Sequence, residues 1–154
     1  MKTRNVLLTL ALCLVGISVA VAEDANMGSW KLNEAKSTFP AGATKNSMVV
    51  YEAAGNDVKV SVDGTDKDGK ATHTEWTGKF DGKDYPVTGD ASMDSRSYAR
   101  IDAHTLKLTG KKDGKVSSVG RISVSADGKT RTVKLTVTDS AGKKLTSTAV
   151  YDKQ

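Results

Sequence analysis

From residue 23 onward the chain alternates apolar and polar residues in short runs, and nearly every run stops at a turn dipeptide. Val58, Val60 and Val62 fall on one side of an extended chain, with Lys59 and Ser61 on the other. Val133, Leu135 and Val137 repeat this against Thr132, Lys134 and Thr136, and Thr72, Thr74, Trp76, Gly78 and Phe80 form one further face. Leu106 with Leu108, Ile122 with Val124, and Leu145, Ser147, Ala149 and Tyr151 continue the series. A period of two with one polar face describes half-buried antiparallel strands and excludes amphipathic helices, whose apolar residues recur every three or four positions. The punctuation agrees. Asp-Gly occurs at 63–64, 68–69, 81–82, 113–114 and 127–128, and Gly55-Asn56 and Ala141-Gly142 supply two more turns. Gly and Asn accept the positive φ that tight hairpins need.

This pattern predicts ten strands, over 27–33, 46–54, 57–63, 70–80, 84–88, 93–102, 104–112, 115–125, 129–138 and 143–152. Most connections are of hairpin length, so strands adjacent in sequence pair in the sheet. An open meander of that size would leave two long unpaired edges, and closure into an up-and-down barrel removes them. The expected fold is therefore all-β, an antiparallel barrel of eight to ten strands. The one long connection runs from Glu34 to Lys45, where Asn33 can cap a single helical turn over Glu34 to Ser37.

Residues 1–22 read as an export leader: Lys2 and Arg4, an apolar stretch from Val6 to Val19, then Ala20-Val21-Ala22 as a cleavage site. The stretch is too short to predict a membrane span. Residues 23–154 then form one domain, exported to the periplasm or the cell exterior. The sole cysteine, Cys13, lies in the leader, and the bulky Leu12 before it argues against lipid attachment. Without Lys2 and Arg4 the net charge falls from +5 to +3, too mild and too mixed in sign for a nucleic-acid binder. Leu, Ile, Val and Phe supply only 21 of the 132 remaining residues, so the core is lean.

Met27-Gly28-Ser29-Trp30-Lys31-Leu32-Asn33 opens the meander with Gly-x-Trp on its first strand. This resembles the lipocalin and fatty-acid-binding-protein group. Asp81-Gly82-Lys83-Asp84-Tyr85-Pro86-Val87-Thr88-Gly89 and Asp127-Gly128-Lys129-Thr130 look like segments of small exported bacterial lipocalin-like proteins. The resemblance implies that Trp30 plugs one end of the barrel, with a basic side chain from near the last strand across it. That strand contains no Arg, and Lys153 is the nearest substitute. The likeness also implies ligand binding, by analogy of fold.

Gly64 to Glu75 imitates a calcium loop, with Asp66, Asp68, Gly69 and Glu75 in register, but Gly64 stands where the first carboxylate belongs. His73 and His104 lack ligand spacing and are expected at the surface, so no metal and no cofactor is predicted. No nucleophile signature accompanies the serines, and no enzymatic activity is expected. Tyr98 and Arg100 share a face at i, i+2, with Arg121 two strands on; an inward Arg and Tyr are what the fatty-acid-type barrel uses to hold a carboxylate. The opposite parity would turn Ala99 and Ile101 inward and Arg100 to water. Small inward residues (Ser118, Gly120, Ser147, Ala149) cannot fill a barrel, and the hydroxyls of Thr72, Thr74, Ser118 and Ser147 favour a wet cavity. The expected function is noncatalytic binding of a small hydrophobic or amphipathic ligand inside the barrel, by Trp76, Tyr98, Arg100, Ser118 and Arg121. The alternative is an interaction module that uses the outer face. The sequence sets no oligomeric state.

Overall fold

A computed structural model describes residues 24–154. The leader assigned to residues 1–22 lies outside the described residues. Ten strands follow one another: β1 Gly28–Leu32, β2 Lys45–Ala54, β3 Asp57–Thr65, β4 Ala71–Gly78, β5 Tyr85–Thr88, β6 Ser95–Asp102, β7 Thr105–Lys112, β8 Lys115–Val124, β9 Thr130–Thr138 and β10 Lys144–Lys153. Each pairs antiparallel with its neighbours in sequence, and β1 closes the sheet by pairing with both β2 and β10. The result is a closed ten-stranded up-and-down barrel, so none of the ten strands presents a free edge.

The single helical element among the described residues is the 3₁₀ turn Glu34–Lys36, capped by the Asn33 side chain, which accepts a hydrogen bond from the Lys36 N–H. One turn signal is overturned. Asp63-Gly64 lies inside β3, and the chain reverses at 66–70 instead. The reason is close approach: a Cβ on Gly64 would collide with the Lys45 carbonyl, where the register of β2 against β3 shifts between Asn46 and Met48.

Alternation decides which side chains enter the barrel. Val49 and Tyr51 on β2, Val60 and Val62 on β3, Leu106 and Leu108 on β7, and Ile122 and Val124 on β8 are buried. Along β9 and β10 the inward rows pair across the seam: Arg131 with Tyr151, Val133 with Ala149, Leu135 with Ser147, and Val137 with Leu145. One end is closed by aromatic packing. Trp30 is completely buried, its Nε1–H donates to the Asn26 carbonyl at 2.9 Å, and Lys153 Nζ stands 5.4 Å from its ring centroid. The basic residue expected across Trp30 is thus Lys153, the last residue of β10. Trp76 stacks on Phe80 at 6.4 Å, and Tyr98 meets Trp76 edge-on at 4.7 Å.

Candidate functional site

Above the aromatic plug the small residues leave the space their volumes require. A cavity of about 380 Å³ occupies the barrel interior, within the range typical of small-molecule sites. Val62, Leu108, Ile122, Val133, Leu135 and Val137 form its apolar wall. Its mouth lies between the connection carrying Pro40 to Thr44 and the β5–β6 connection carrying Gly89 to Met93. Thr72, Thr74 and Ser147 place hydroxyl-bearing side chains along the wall, as expected; Ser118 does not.

Two arginines line this cavity. Arg131 enters at the start of β9, at the closed side, and is only 3% exposed. Its guanidinium lies between two tyrosines, 5.0 Å from the Tyr51 ring centroid and 5.3 Å from that of Tyr151. Nη2 donates to the Tyr51 hydroxyl at 2.6 Å, whereas Nε and Nη1 find no acceptor among the described residues. Burial pushes the Tyr51 phenol far above the usual tyrosine range, and Arg131 pulls it only partly back. Tyr151 is raised for the same reason. Both phenols therefore stay neutral and remain hydrogen-bond donors at physiological pH.

Arg96 is nearer the mouth, at the start of β6, and is 7% exposed. Its Nη1 donates to the Tyr98 hydroxyl at 3.3 Å, and Nε and Nη2 contact the Met93 sulfur at 3.4 and 3.2 Å. Asp90 Oδ2 is 3.7 Å from Nη2. Tyr98 meets Tyr51 edge-on with ring centroids 6.3 Å apart, so both arginines join one cluster of tyrosines.

The five residues expected to bind ligand are dispersed. Of them, Tyr98 alone lines the cavity. Trp76 is buried in the plug with its Nε1–H donating to the Arg96 carbonyl at 2.9 Å, too deep to reach the cavity. Arg100 does share the face of Tyr98, and Ile101 is 51% exposed, which resolves the parity. Two residues further along β6, however, Arg100 passes beyond the plug: it lies 5.3 Å over the Phe80 ring, pairs with Asp24, and is half-exposed. Arg121 points outward between Lys107 and Lys134, because Gly120 and Ile122 take the inward positions. Ser118 is buried beside Gly110 and Met93 and is absent from the cavity wall.

The expectation from sequence omits Arg96 and Arg131, although both carry a signal. Arg96 precedes Tyr98 by two residues, and Arg131 precedes Val133, Leu135 and Val137 on their face. An arginine in phase with an apolar row is the legible mark of a buried cation.

The remaining candidates have local roles. Asp66, in the calcium-like segment, accepts hydrogen bonds from the N–H groups of Asp68 and Lys70, which shapes the hairpin turn. His73 is exposed on β4, with Nδ1 2.6 Å from Asp63 Oδ1. The exposed apolar residues Ile101, Val116 and Val119 lie on β6 and β8, which β7 separates, so they form no continuous patch. No helix among the described residues is long and apolar enough to cross a membrane.

No protein-family model and no curated protein matches the chain. Among solved structures it is similar to a redesigned β-barrel, mFAP1, bound to DFHBI, at 15% identity and a TM-score of 0.49, over 84% of this chain and 95% of that one. It is also similar to EF1p2_mFAP2b bound to DFHBI, at 12% identity and a TM-score of 0.48, over 84% and 94% of the two chains.

Proposed function

We propose that this chain is an exported, noncatalytic binding protein for one small amphipathic molecule, with its tail along the apolar wall and its acceptor-rich or anionic head at Arg131. The observation that carries this reading is a buried guanidinium on an apolar-walled cavity with two nitrogens, Nε and Nη1, lacking an acceptor among the described residues. Taking a cation out of water costs several kcal/mol unless a partner compensates it. Contact with two tyrosine rings returns about 0.5–2 kcal/mol each, and one phenol hydrogen bond adds a little more. A ligand oxygen is the partner this arrangement lacks.

The shape supports the same orientation. From Arg131 to Val137 the strand rises roughly 20 Å, at about 3.3 Å per residue, and its inward side chains after Arg131 are all aliphatic. Export rests on the leader-like residues 1–22.

Calorimetric titration with decanoate and with decanol tests the reading. One molecule of decanoate should bind per barrel, and decanol more weakly. Arg131→Met should cost decanoate about 100-fold in affinity, because charge-assisted hydrogen bonds contribute about 1.5–3 kcal/mol each. A cooperatively folded protein that binds neither compound, or an Arg131→Met variant that binds decanoate unchanged, overturns the proposal.

A further inference from the structure

The two interior arginines are not equivalent, and the difference assigns a role to an acidic residue in the β5–β6 connection. We propose that Asp90 sets the charge of the ligand: by neutralising Arg96 it leaves Arg131 as the one uncompensated cation of the interior, and so restricts the cavity to amphiphiles bearing a single negative charge. This rests on the amphiphile-binding reading above and deepens it.

The placement of Asp90 is built in. Gly89 has φ +79°, and a Cβ there would collide with the His73 carbonyl, so only glycine lets the chain leave β5 along this path. Asp90 follows immediately and lines the cavity. Its Oδ1 accepts hydrogen bonds from the N–H of Ser92 at 2.9 Å and the Ser92 hydroxyl at 2.6 Å. That leaves Oδ2 facing Arg96 Nη2 at 3.7 Å. The Arg96 and Asp90 side chains are 9% and 19% exposed, so the pair is better shielded from solvent than the other ion pairs among the described residues.

Arg96 has no stronger claim elsewhere. Its other contacts are to the Met93 thioether, a weak acceptor, and to one phenol at 3.3 Å. Among the described residues Asp90 is the one carboxylate within ion-pair distance of Arg96. The other acidic residue on the cavity, Asp66, is held at the rim by backbone N–H groups of Asp68 and Lys70. Interior charge thus amounts to two guanidiniums and one carboxylate, and the guanidiniums communicate through Tyr98 and Tyr51. A monoanionic head completes the balance. A dianionic head would carry a second charge into a site where Asp90 already answers Arg96. The Arg96–Asp90 pair is neutral as a whole and offers that second charge no cation, so taking it out of water uncompensated costs roughly tenfold in affinity or more.

Decyl sulfate and decyl phosphate test this directly, since they share a chain and a tetrahedral head. The sulfate carries one charge throughout, whereas a phosphate monoester gains its second near a pKa of about 6. Calorimetry on the intact barrel at about pH 8 should show decyl sulfate binding roughly tenfold more tightly than decyl phosphate. In Asp90→Asn the preference should vanish or reverse, chiefly through tighter binding of the phosphate. A second measurement needs no variant: for the wild-type chain, lowering the pH to about 5 makes the phosphate a monoanion and should abolish the discrimination. Equal binding at pH 8, or a preference for the phosphate in the wild type, overturns the role of Asp90 while leaving the amphiphile reading standing. Failure of folded wild-type protein to bind either compound overturns the amphiphile reading itself.

Discussion

The closed end of the barrel and the cavity above it are made by the same ten strands, yet they settle their buried polar groups in opposite ways. At the closed end both indole N–H groups are partnered by backbone carbonyls, Trp30 to Asn26 and Trp76 to Arg96. The rings of Trp76, Phe80, Tyr85 and Tyr98 pack edge-to-face and stacked at 4.7 to 6.4 Å, which favours a single rigid arrangement. In the cavity small side chains leave a void, and Arg131 keeps two nitrogens without an acceptor among the described residues. A fold selected only for stability would have no use for that cation, because an apolar side chain of similar size is the less costly occupant of a buried site. The plug stabilises the barrel, whereas the cavity keeps a void and a buried charge that stability alone does not require.

The contrast is tested most severely at the plug. Trp30→Ala should destabilise by about 3–5 kcal/mol, the usual cost of removing a large buried aromatic. Against the roughly 5–15 kcal/mol available to a domain, this should appear as a large fall in the urea midpoint. An unchanged midpoint would remove Trp30 from the structural half of the molecule.

The cavity should respond far less. Arg131→Met deletes an uncompensated buried charge but strips the Tyr51 hydroxyl of its partner and both tyrosine rings of their cation. The relieved charge returns about 3–5 kcal/mol, against about 1–3 kcal/mol for the unsatisfied phenol and about 0.5–2 kcal/mol for each ring contact, so the change should lie within about 1 kcal/mol of zero. Equilibrium unfolding without ligand checks it; a loss as large as that of Trp30→Ala would mean that Arg131 is a structural residue like Trp30.

The smallest effect concerns Asp24, which fastens the N-terminal segment under the plug by its ion pair with Arg100. Burial opposes its ionisation, but the Asn26 backbone N–H, Arg100 and the Asn26 amide outweigh it, so its pKa is held below the ordinary carboxylate value. A depressed folded pKa contributes stability above the unfolded value of about 3.9 and loses it as the pH falls through the folded value. The pair is partly exposed, so the contribution should stay below about 1 kcal/mol. The wild-type chain should therefore lose slightly more stability than Asp24→Asn between about pH 6 and pH 3. Parallel pH profiles would show that the pair does not hold the segment.

The ten strands are legible in the sequence to within two residues at each end, because alternation and hairpin chemistry act over a few neighbouring positions. Two departures are instructive. Phase alone extends β4 to Phe80, but the strand ends at Gly78, and the Phe80 ring completes the plug by stacking on Trp76. Asp63-Gly64 has the composition of a turn and is strand, because a glycine that admits another backbone has the same letter as one that turns the chain.

The candidate site is less legible than the fold. Phase places Arg96, Tyr98 and Arg100 on the same inward row of β6. Yet Arg96 lines the cavity beside a carboxylate, Tyr98 joins the cavity to the plug, and Arg100 exits past it. Depth along a strand is set by how far its neighbours are staggered around the closed barrel, a quantity no local pattern contains. The same holds across strands. Arg121 and Arg131 are ten residues apart in adjacent strands. The register that turns one outward and seats the other between Tyr51 and Tyr151 exists only once the sheet has closed. Strands, turns and the apolar face of each strand are thus written locally, since they follow from the geometry of successive Cβ atoms. Closure of the sheet settled which of the inward residues meet, at what depth, and which buried cation keeps nitrogens without an acceptor among the described residues.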